Sequence, residues 1–185
     1  MLGDLALLEC FTFDTVYYRQ IRGILRVKKA GERGIYVSIM LFQGWSSAKG
    51  WLGGKPWDGH PYNPSNNVQR FNGNPGANSG PNLDLKSVRD YQAKYLRRVI
   101  DTVNDLDNVL FEVTNEGGSK DWDWWVVNTV HQLEKEKPKQ HPVGLTAHGA
   151  ERNNDMLASP GDWFSPGSND WPDLKSDPRE ADGKK

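Results

Sequence analysis

Hydrophobic residues follow two patterns along the chain, one typical of helices and one typical of buried strands. Apolar residues spaced by three or four predict helices over residues 14–30, over residues 84–103, and from Ser119 to just before Pro138. Short, nearly continuous apolar runs rich in β-branched and aromatic residues predict strands over residues 35–42, 109–114 and 142–146, with a further strand over 162–165. Helices and strands are therefore expected to follow one another in turn.

This order predicts an α/β fold, because parallel strands need a crossover helix between them and such crossovers are right-handed. The run over residues 35–42 has hardly any polar interruption. Such a run suits a strand that is covered on both faces of a parallel sheet. We therefore expect a parallel sheet built from βα units.

Two segments show neither the helical nor the strand pattern. From Gln43 to about Pro81 the chain is rich in Gly, Asn, Pro, Ser and Trp, which predicts one long loop. A loop of that length in a domain is usually functional or disordered. After Pro166 the chain is rich in Asp, Pro, Ser and Lys, which indicates a surface segment or a frayed end. The domain is thus expected over residues 1–166, with a polar tail over 167–185.

The charge and the composition of the chain limit the classes of molecule that are expected to bind it. The chain has 23 Lys and Arg against 24 Asp and Glu, so it has no strong field to attract nucleic acid or an anionic membrane surface. Eight Trp and 19 Gly point weakly to a neutral ligand such as a sugar, since aromatic faces and Gly-rich loops can shape a cleft around one. We expect neither a nucleic acid nor a membrane as partner.

Cys10 is the only cysteine, which excludes an intrachain disulfide and a metal site with several thiolates. The four His show no metal-ligand spacing, and no cofactor motif is present, so we predict no metal and no cofactor. The first residues have no basic region and no small-residue cleavage site, and no apolar run approaches the roughly 18 residues of a membrane span. These features do not assign the protein to a cellular compartment.

The most informative feature is Asn115-Glu116, which directly follows the apolar strand over 109–114. Active sites of β/α proteins lie at the C-terminal ends of the strands, so polar side chains at that edge are candidates for chemistry. Glu116 could equally be a solvated turn residue, since an Asn-Glu pair occurs by chance in many proteins. Its place directly after a core strand favours a functional role.

Residues 109–116 (VLFEVTNE) resemble the fourth-strand signature of the retaining (β/α)₈ glycoside hydrolases, in the large clan that contains the cellulases. Further segments look like a cellulase-like or apiosidase-like bacterial branch of that clan: RGIYVSIMLFQGWS (33–46), HPYN (60–63), VIDTVNDLDN (99–108), QHPVGLT (140–146) and SPGDWFSP (159–166). The resemblance covers most of residues 14–166. It implies a (β/α)₈ barrel that hydrolyses an O-glycosidic bond of a plant or bacterial polysaccharide.

The resemblance implies that Glu116 is the general acid/base and that Asn115 hydrogen-bonds the sugar 2-hydroxyl. A retaining enzyme needs a second carboxylate about 5–5.5 Å away as nucleophile, and the clan carries it on the seventh strand. If residues 35–42 form the third strand, the sixth lies at 162–165 and no seventh follows. A full barrel takes about 250 residues, so a partial barrel of about strands three to six, without its nucleophile, is expected.

Other candidates for sugar contacts follow the predicted strands or lie in the long loop. Gln43 and Trp45 come after the third strand, where the clan places sugar contacts, although a loop Trp is about as often a packing anchor. The remaining candidates are His60, Asn63, His148 and Trp163. For His60 and Asn63 an ordinary loop role is at least as good an interpretation, and Trp163 is expected to be half core and half subsite wall.

Two classes of function are compatible with the sequence, and a third is disfavoured. The chain is either a glycosidase fragment or a non-catalytic module that holds carbohydrate. A Rossmann-like enzyme is disfavoured because no Gly-x-Gly-x-x-Gly follows a strand. A partial barrel would also expose a strand edge on each side, so self-association is expected.

Overall fold

A computed structural model describes residues 23–42, 55–59, 62–68, 70, 72–73, 86–115, 118–147 and 149–167. Within these ranges the helices are α1 (Gly23–Gly31), α2 (Lys86–Val103), α3 (Lys120–Glu134) and the short α4 (Asn153–Leu157). The strands are β1 (Val37–Phe42), β2 (Val109–Thr114), β3 (Val143–Thr146) and β4 (Trp163–Ser165). The predicted order of helices and strands is therefore confirmed from Gly23 onward, while residues 14–22, 84–85 and 168–185 lie outside the described residues.

The strands form one parallel sheet whose order, β1-β2-β3-β4, follows the chain. The register pairs Met40 with Glu112, Glu112 with Gly144, and Gly144 with Trp163, so these residues form one row across the sheet. The parallel α/β prediction is confirmed. Because the strands are parallel, their C-terminal ends all lie along one edge.

Local signals set the ends of the helices. α3 begins after Ser119, whose backbone is extended and whose hydroxyl accepts a hydrogen bond from the Trp122 amide at 3.4 Å, as an N-cap does. α1 ends at Gly31, and a Cβ there would lie only 2.9 Å from the Asn108 side chain. Asn108 in turn donates to the Val27 carbonyl at 2.9 Å. The close approach at Gly31 thus ties α1 to the start of β2.

The hydrophobic core lies on one face of the sheet. Alternate strand residues are buried there against α2 and α3: Leu41, Val109, Phe111, Val113, Val143 and Leu145. The helices contribute Leu96, Ile100 and Val103 from α2, and Trp122, Val126, Val127 and Val130 from α3. Side chains alternate between the faces of a strand, so the residues in between point to the opposite face.

That opposite face corrects the expectation that β1 is covered on both sides. Ser38 is exposed, and the side chain of Met40 is 42% exposed. An unbroken apolar run shows that a strand can be buried on both faces, but burial needs a second layer packed against it. Solvent reaches Ser38 and Met40 instead.

Short turns of helix also appear where none was predicted. Pro56–Gly59 forms a 3-10 turn inside the segment that was expected to be one structureless loop. Ala150–Arg152 forms another between β3 and β4, and it leads directly into α4. These turns span three to five residues, too few for a hydrophobic period to show in the sequence.

A buried polar network lies at the N-terminal edge of the sheet. Glu134, at the end of α3, accepts from the ring Nδ1 of His141 and from its backbone amide, each at 2.7 Å. Asn104 donates to the same carboxylate at 3.1 Å, and the His141 Nε2 lies 2.7 Å from the Leu106 carbonyl oxygen. Both ring nitrogens of His141 therefore lie within hydrogen-bond distance of an oxygen atom. This network joins α2, α3 and the start of β3.

Candidate active site at the C-terminal edge

The C-terminal edge of the sheet carries Asn115, the residue that directly follows β2. It is half-buried and comes after Thr114, whose side chain is buried. The Thr146 hydroxyl, at the end of β3, lies 2.9 Å from the Thr114 carbonyl oxygen and 3.1 Å from the Glu112 carboxylate. The ends of β2 and β3 are therefore joined by side-chain hydrogen bonds as well as by the sheet.

Five of the predicted site residues lie outside the described residues: Glu116, Gln43, Trp45, His60 and His148. The roles assigned to them therefore stay predictions. Chain connectivity alone places three of them, since Glu116 follows Asn115, Gln43 follows the last residue of β1, and His148 is two residues beyond the end of β3.

Trp163 lies in β4 and is half-buried. Its indole covers the backbone of Gly144, where a Cβ would overlap the ring. Its Nε1 is buried and has no hydrogen-bond partner in the structure. The expectation of a half-core position agrees with this burial, while the role of Trp163 as a subsite wall stays a prediction.

Asn63 is buried within its own loop. Its amide donates to the Trp57 carbonyl at 2.9 Å, and its side-chain oxygen accepts from the Ser65 amide at 3.0 Å. The Asn67 side chain also donates to the Asn63 carbonyl, at 2.8 Å. These bonds give Asn63 a role in shaping the loop, and a sugar contact from it stays a prediction.

The same loop docks on α2 through Tyr62, a residue next to Asn63. Tyr62 hydrogen-bonds Gln92, and Gln92 accepts from the Trp122 indole at 3.1 Å. Burial raises the pKa of Tyr62 to about 12, against the opposing effect of the Gln92 hydrogen bond. The rings of Phe42 and Trp122 meet edge to face, with centroids 5.1 Å apart. Aromatic packing thus supports the end of β1.

A buried ion pair supports the end of β2. Arg152 Nη2 lies 2.6 Å from Asp123 Oδ2, and Arg152 Nη1 donates to the Gly118 carbonyl oxygen. The Asp123 side chain is only 4% exposed and that of Arg152 is 25% exposed. The pair joins the connection that follows β2 to the connection that follows β3.

Two atoms of this pair have no hydrogen-bond partner among the described residues. They are the second carboxylate oxygen of Asp123, Oδ1, and the Nε of Arg152, and both are buried. Desolvation by burial raises the pKa of Asp123 to about 7, although the Arg152 charge and hydrogen bond act in the opposite direction. Asp123 therefore changes its charge near neutral pH, at the start of the helix that follows β2.

Neither Asp123 nor Arg152 stood out in the sequence. An acidic residue in the first turn of a helix is ordinary, because it complements the helix dipole. Arg152 lies in a polar stretch between two strands and 29 positions further along the chain. No periodicity or motif links the two, so only the folded structure brings them together.

The part of the chain that the structure describes contains no group of three or more His, Cys, Asp or Glu side chains that could hold a metal ion. No helix within the same residues is long and apolar enough to cross a membrane. Comparisons of the chain with protein-family models, with curated proteins and with solved structures find no match. Function has to be inferred from the residues and their geometry.

Proposed function

We propose that this chain is part of a retaining (β/α)₈ glycosidase in which Glu116 is the general acid/base and Asn115 binds the sugar beside it. The observation that carries the proposal is the position of Asn115, directly after β2, at the edge where four parallel strands end. Ligand sites of parallel β/α folds form at that edge. Glu116 is one peptide bond further on.

The winding of the sheet supports a barrel. Strand order follows chain order without reversal, and the buried apolar strand residues face the helices on one side. A doubly wound sheet instead reverses its strand order and carries helices on both faces. A sheet that winds in one direction, with helices outside, is the arrangement that closes into a (β/α)₈ barrel.

The second face of the sheet supports the same proposal. It carries Met40, Glu112, Thr146 and Trp163, side chains that are exposed or half-buried. In a closed barrel such positions fill the interior in layers. We propose that these side chains are the interior layers of an incomplete barrel, and that the remaining strands come from residues outside the described ones.

The nucleophile of a retaining enzyme has to come from such residues too. The described residues that directly follow β2, β3 and β4 are Asn115, Ala147 and Pro166, none of which is a carboxylate. Glu112 lies inside β2, two residues before its end, and not at the edge where the strands end. Glu116 alone can protonate a leaving group but cannot complete the reaction.

The proposal is tested with a form of the protein extended beyond Lys185 and a series of aryl and alkyl glycosides. Glu116→Gln is expected to lower kcat about 10²- to 10⁴-fold on substrates with poor leaving groups, because those depend on proton donation. The loss should shrink steadily as the leaving group becomes more acidic. The 185-residue chain itself should show at most traces of hydrolysis.

Glu112→Gln is the matched control, because it removes the same functional group four positions earlier in the chain, inside β2. Its effect should be equal across all leaving groups. If Glu116→Gln shows no dependence on the leaving group, Glu116 is not the acid. Binding of oligosaccharides without hydrolysis by any form of the protein would instead favour a carbohydrate-binding module.

A further inference from the structure

The Asp123–Arg152 pair connects two segments that are remote in sequence. Asp123 lies in the first turns of α3, after β2, while Arg152 ends the 3-10 turn that follows β3. Through Gly118, the guanidinium holds the backbone of the first segment, and through Asp123 it holds the helix that this segment enters. One side chain therefore fixes the end of the β2–α3 connection at two points.

The packing around Gly118 leaves that connection little freedom. A Cβ at Gly118 would overlap Asp123 Oδ1, so the backbone lies directly against the carboxylate. Gly118 is itself buried, and the next residue, Ser119, caps α3. Only a residue without a side chain allows the backbone to lie this close to the ion pair.

We propose that Arg152 and Asp123 are positioning residues that hold Gly118 and the start of α3, the end of the β2–α3 connection, in place from the neighbouring β3–α4 connection. Where it concerns catalysis, this inference rests on the proposed function, which assigns the general acid/base to Glu116. In the sequence, Glu116 comes directly after Asn115 and two positions before Gly118. The pair would therefore act on the acid through the backbone at Gly118.

The physical reason to keep such a pair is geometric. A buried ion pair gains little net stability over apolar side chains of the same volume, and a partly satisfied one gains less. An arginine, however, offers its donors in a rigid planar fork, which can fix a carbonyl and a carboxylate at the same time. Lysine keeps the charge, but it has no planar fork of donors to hold a carbonyl and a carboxylate at the same time.

Amide hydrogen exchange of the 185-residue chain tests the positioning without any assay of activity. Arg152→Met is expected to speed exchange of the amides over residues 115–119 by at least about tenfold, because local opening no longer breaks the two Arg152 contacts. Arg152→Lys should give an intermediate increase. Amides of the central strand residues 110–113 should change much less.

The matched control is Lys120→Met. Lys120 pairs with Asp155 at 2.9 Å and so also joins the start of α3 to α4, but both of these side chains are exposed to solvent. This variant should leave exchange over residues 115–119 within about twofold of the original protein, because exposed pairs contribute little. Equal increases in Lys120→Met and Arg152→Met, or an equal increase throughout β2, would overturn the inference. If Arg152→Met does not fold, the comparison of Arg152→Lys with Lys120→Met decides in the same way.

Kinetics add a second readout in any form that hydrolyses glycosides. Arg152→Lys should lower kcat, most strongly for poor leaving groups, and should leave KM within about twofold, since a displaced acid affects proton donation more than binding. Hydrolysis that depends on Glu116 but not on Arg152 would refute the positioning and leave the proposed function intact. Exchange that responds to Arg152, together with no hydrolysis by the form extended beyond Lys185, would refute the proposed function alone.

Discussion

Two polar pairs, each with a buried carboxylate, lie at opposite edges of the same sheet, and they differ in how many of their polar atoms have hydrogen-bond partners. At the N-terminal edge, Glu134 accepts three hydrogen bonds and both ring nitrogens of His141 have partners. At the C-terminal edge, one oxygen of Asp123 and the Nε of Arg152 are buried and have no partner among the described residues. We call the Glu134–His141 network closed, because these polar atoms all have partners, and the Asp123–Arg152 pair open.

The difference agrees with the proposal that the C-terminal edge carries the site. In β/α folds the N-terminal edge contributes stability, while the C-terminal edge carries the site. A fully satisfied network recovers the desolvation cost of its charges, whereas an open one retains part of that cost. We interpret the Glu134–His141 network as an anchor of the fold and the Asp123–Arg152 pair as a device for holding a connection in place.

The largest expected effect comes from breaking the closed network. Glu134→Ala removes the acceptor that the His141 ring, the His141 amide and the Asn104 side chain share. These groups are buried. We expect the free energy of unfolding to fall by about 3–5 kcal/mol, the usual cost of removing one partner of a buried pair. Denaturant unfolding measures this loss. A loss below about 1 kcal/mol would show that the network is not an anchor.

The next effect is a pH dependence at the open pair. Because burial raises the pKa of Asp123 from 3.8 to about 7, the folded protein binds a proton that the unfolded chain releases between these two values. This group's contribution to stability is thus fully present below about pH 4, is lost as pH rises toward 7, and stays lost above it. The whole difference corresponds to about 4 kcal/mol at most.

Asp123→Asn isolates that contribution, because the amide cannot ionise. We expect the stability of the original protein relative to Asp123→Asn to fall as pH rises from about 4 to about 7. Denaturant unfolding at several pH values measures the difference between the two proteins. A difference that does not vary with pH would mean that Asp123 is ionised throughout.

A smaller effect is expected from Gly118→Ala, which places a Cβ against Asp123 Oδ1. Overpacking of this kind costs about 1–3 kcal/mol, measured as a loss in the free energy of unfolding. Gly59→Ala is the control, because a Cβ there meets nothing within 4 Å. If the two variants lose the same stability, the backbone at Gly118 does not lie against the ion pair.

The smallest effect is expected from an exposed pair. Lys137 contacts Asp101 between the end of α3 and α2, close in sequence to the closed network, but its side chain remains 30% exposed. Lys137→Ala should change the free energy of unfolding by only about 0–1 kcal/mol. A loss as large as that of Glu134→Ala would show that burial does not separate the two kinds of pair.

The longer helices show their period in the sequence, and the strands, even β3 and β4 with four and three residues, are marked by short apolar runs. β2 was predicted with its observed bounds, and the helix that became α3 was predicted to begin at Ser119. The 3-10 turn at Ala150–Arg152 and the short α4 were missed, since three to five residues carry no period. These short elements are the ones that bring Arg152 to Asp123.

Some features of the candidate site could likewise be predicted from the sequence, and others could not. The position of Asn115 after a buried strand could be read from the chain, because strand ends are local features and parallel strands end at one edge. The pairing of Asp123 with Arg152, the burial of Asn63 in its own hydrogen bonds, and the exposure of Met40 could not. The first and the last depend on which distant residues pack nearby, and the second depends on the conformation of a loop that shows no period.

The sequence by itself determined the α/β class, the order of the elements and the edge at which chemistry is expected, because hydrophobic period and strand order are encoded locally. Only the tertiary structure decided which charges are buried, which of them are satisfied, and which face of the sheet stays open. Burial and pairing join residues as far apart as Asp123 and Arg152, 29 positions along the chain, and no local pattern specifies such contacts.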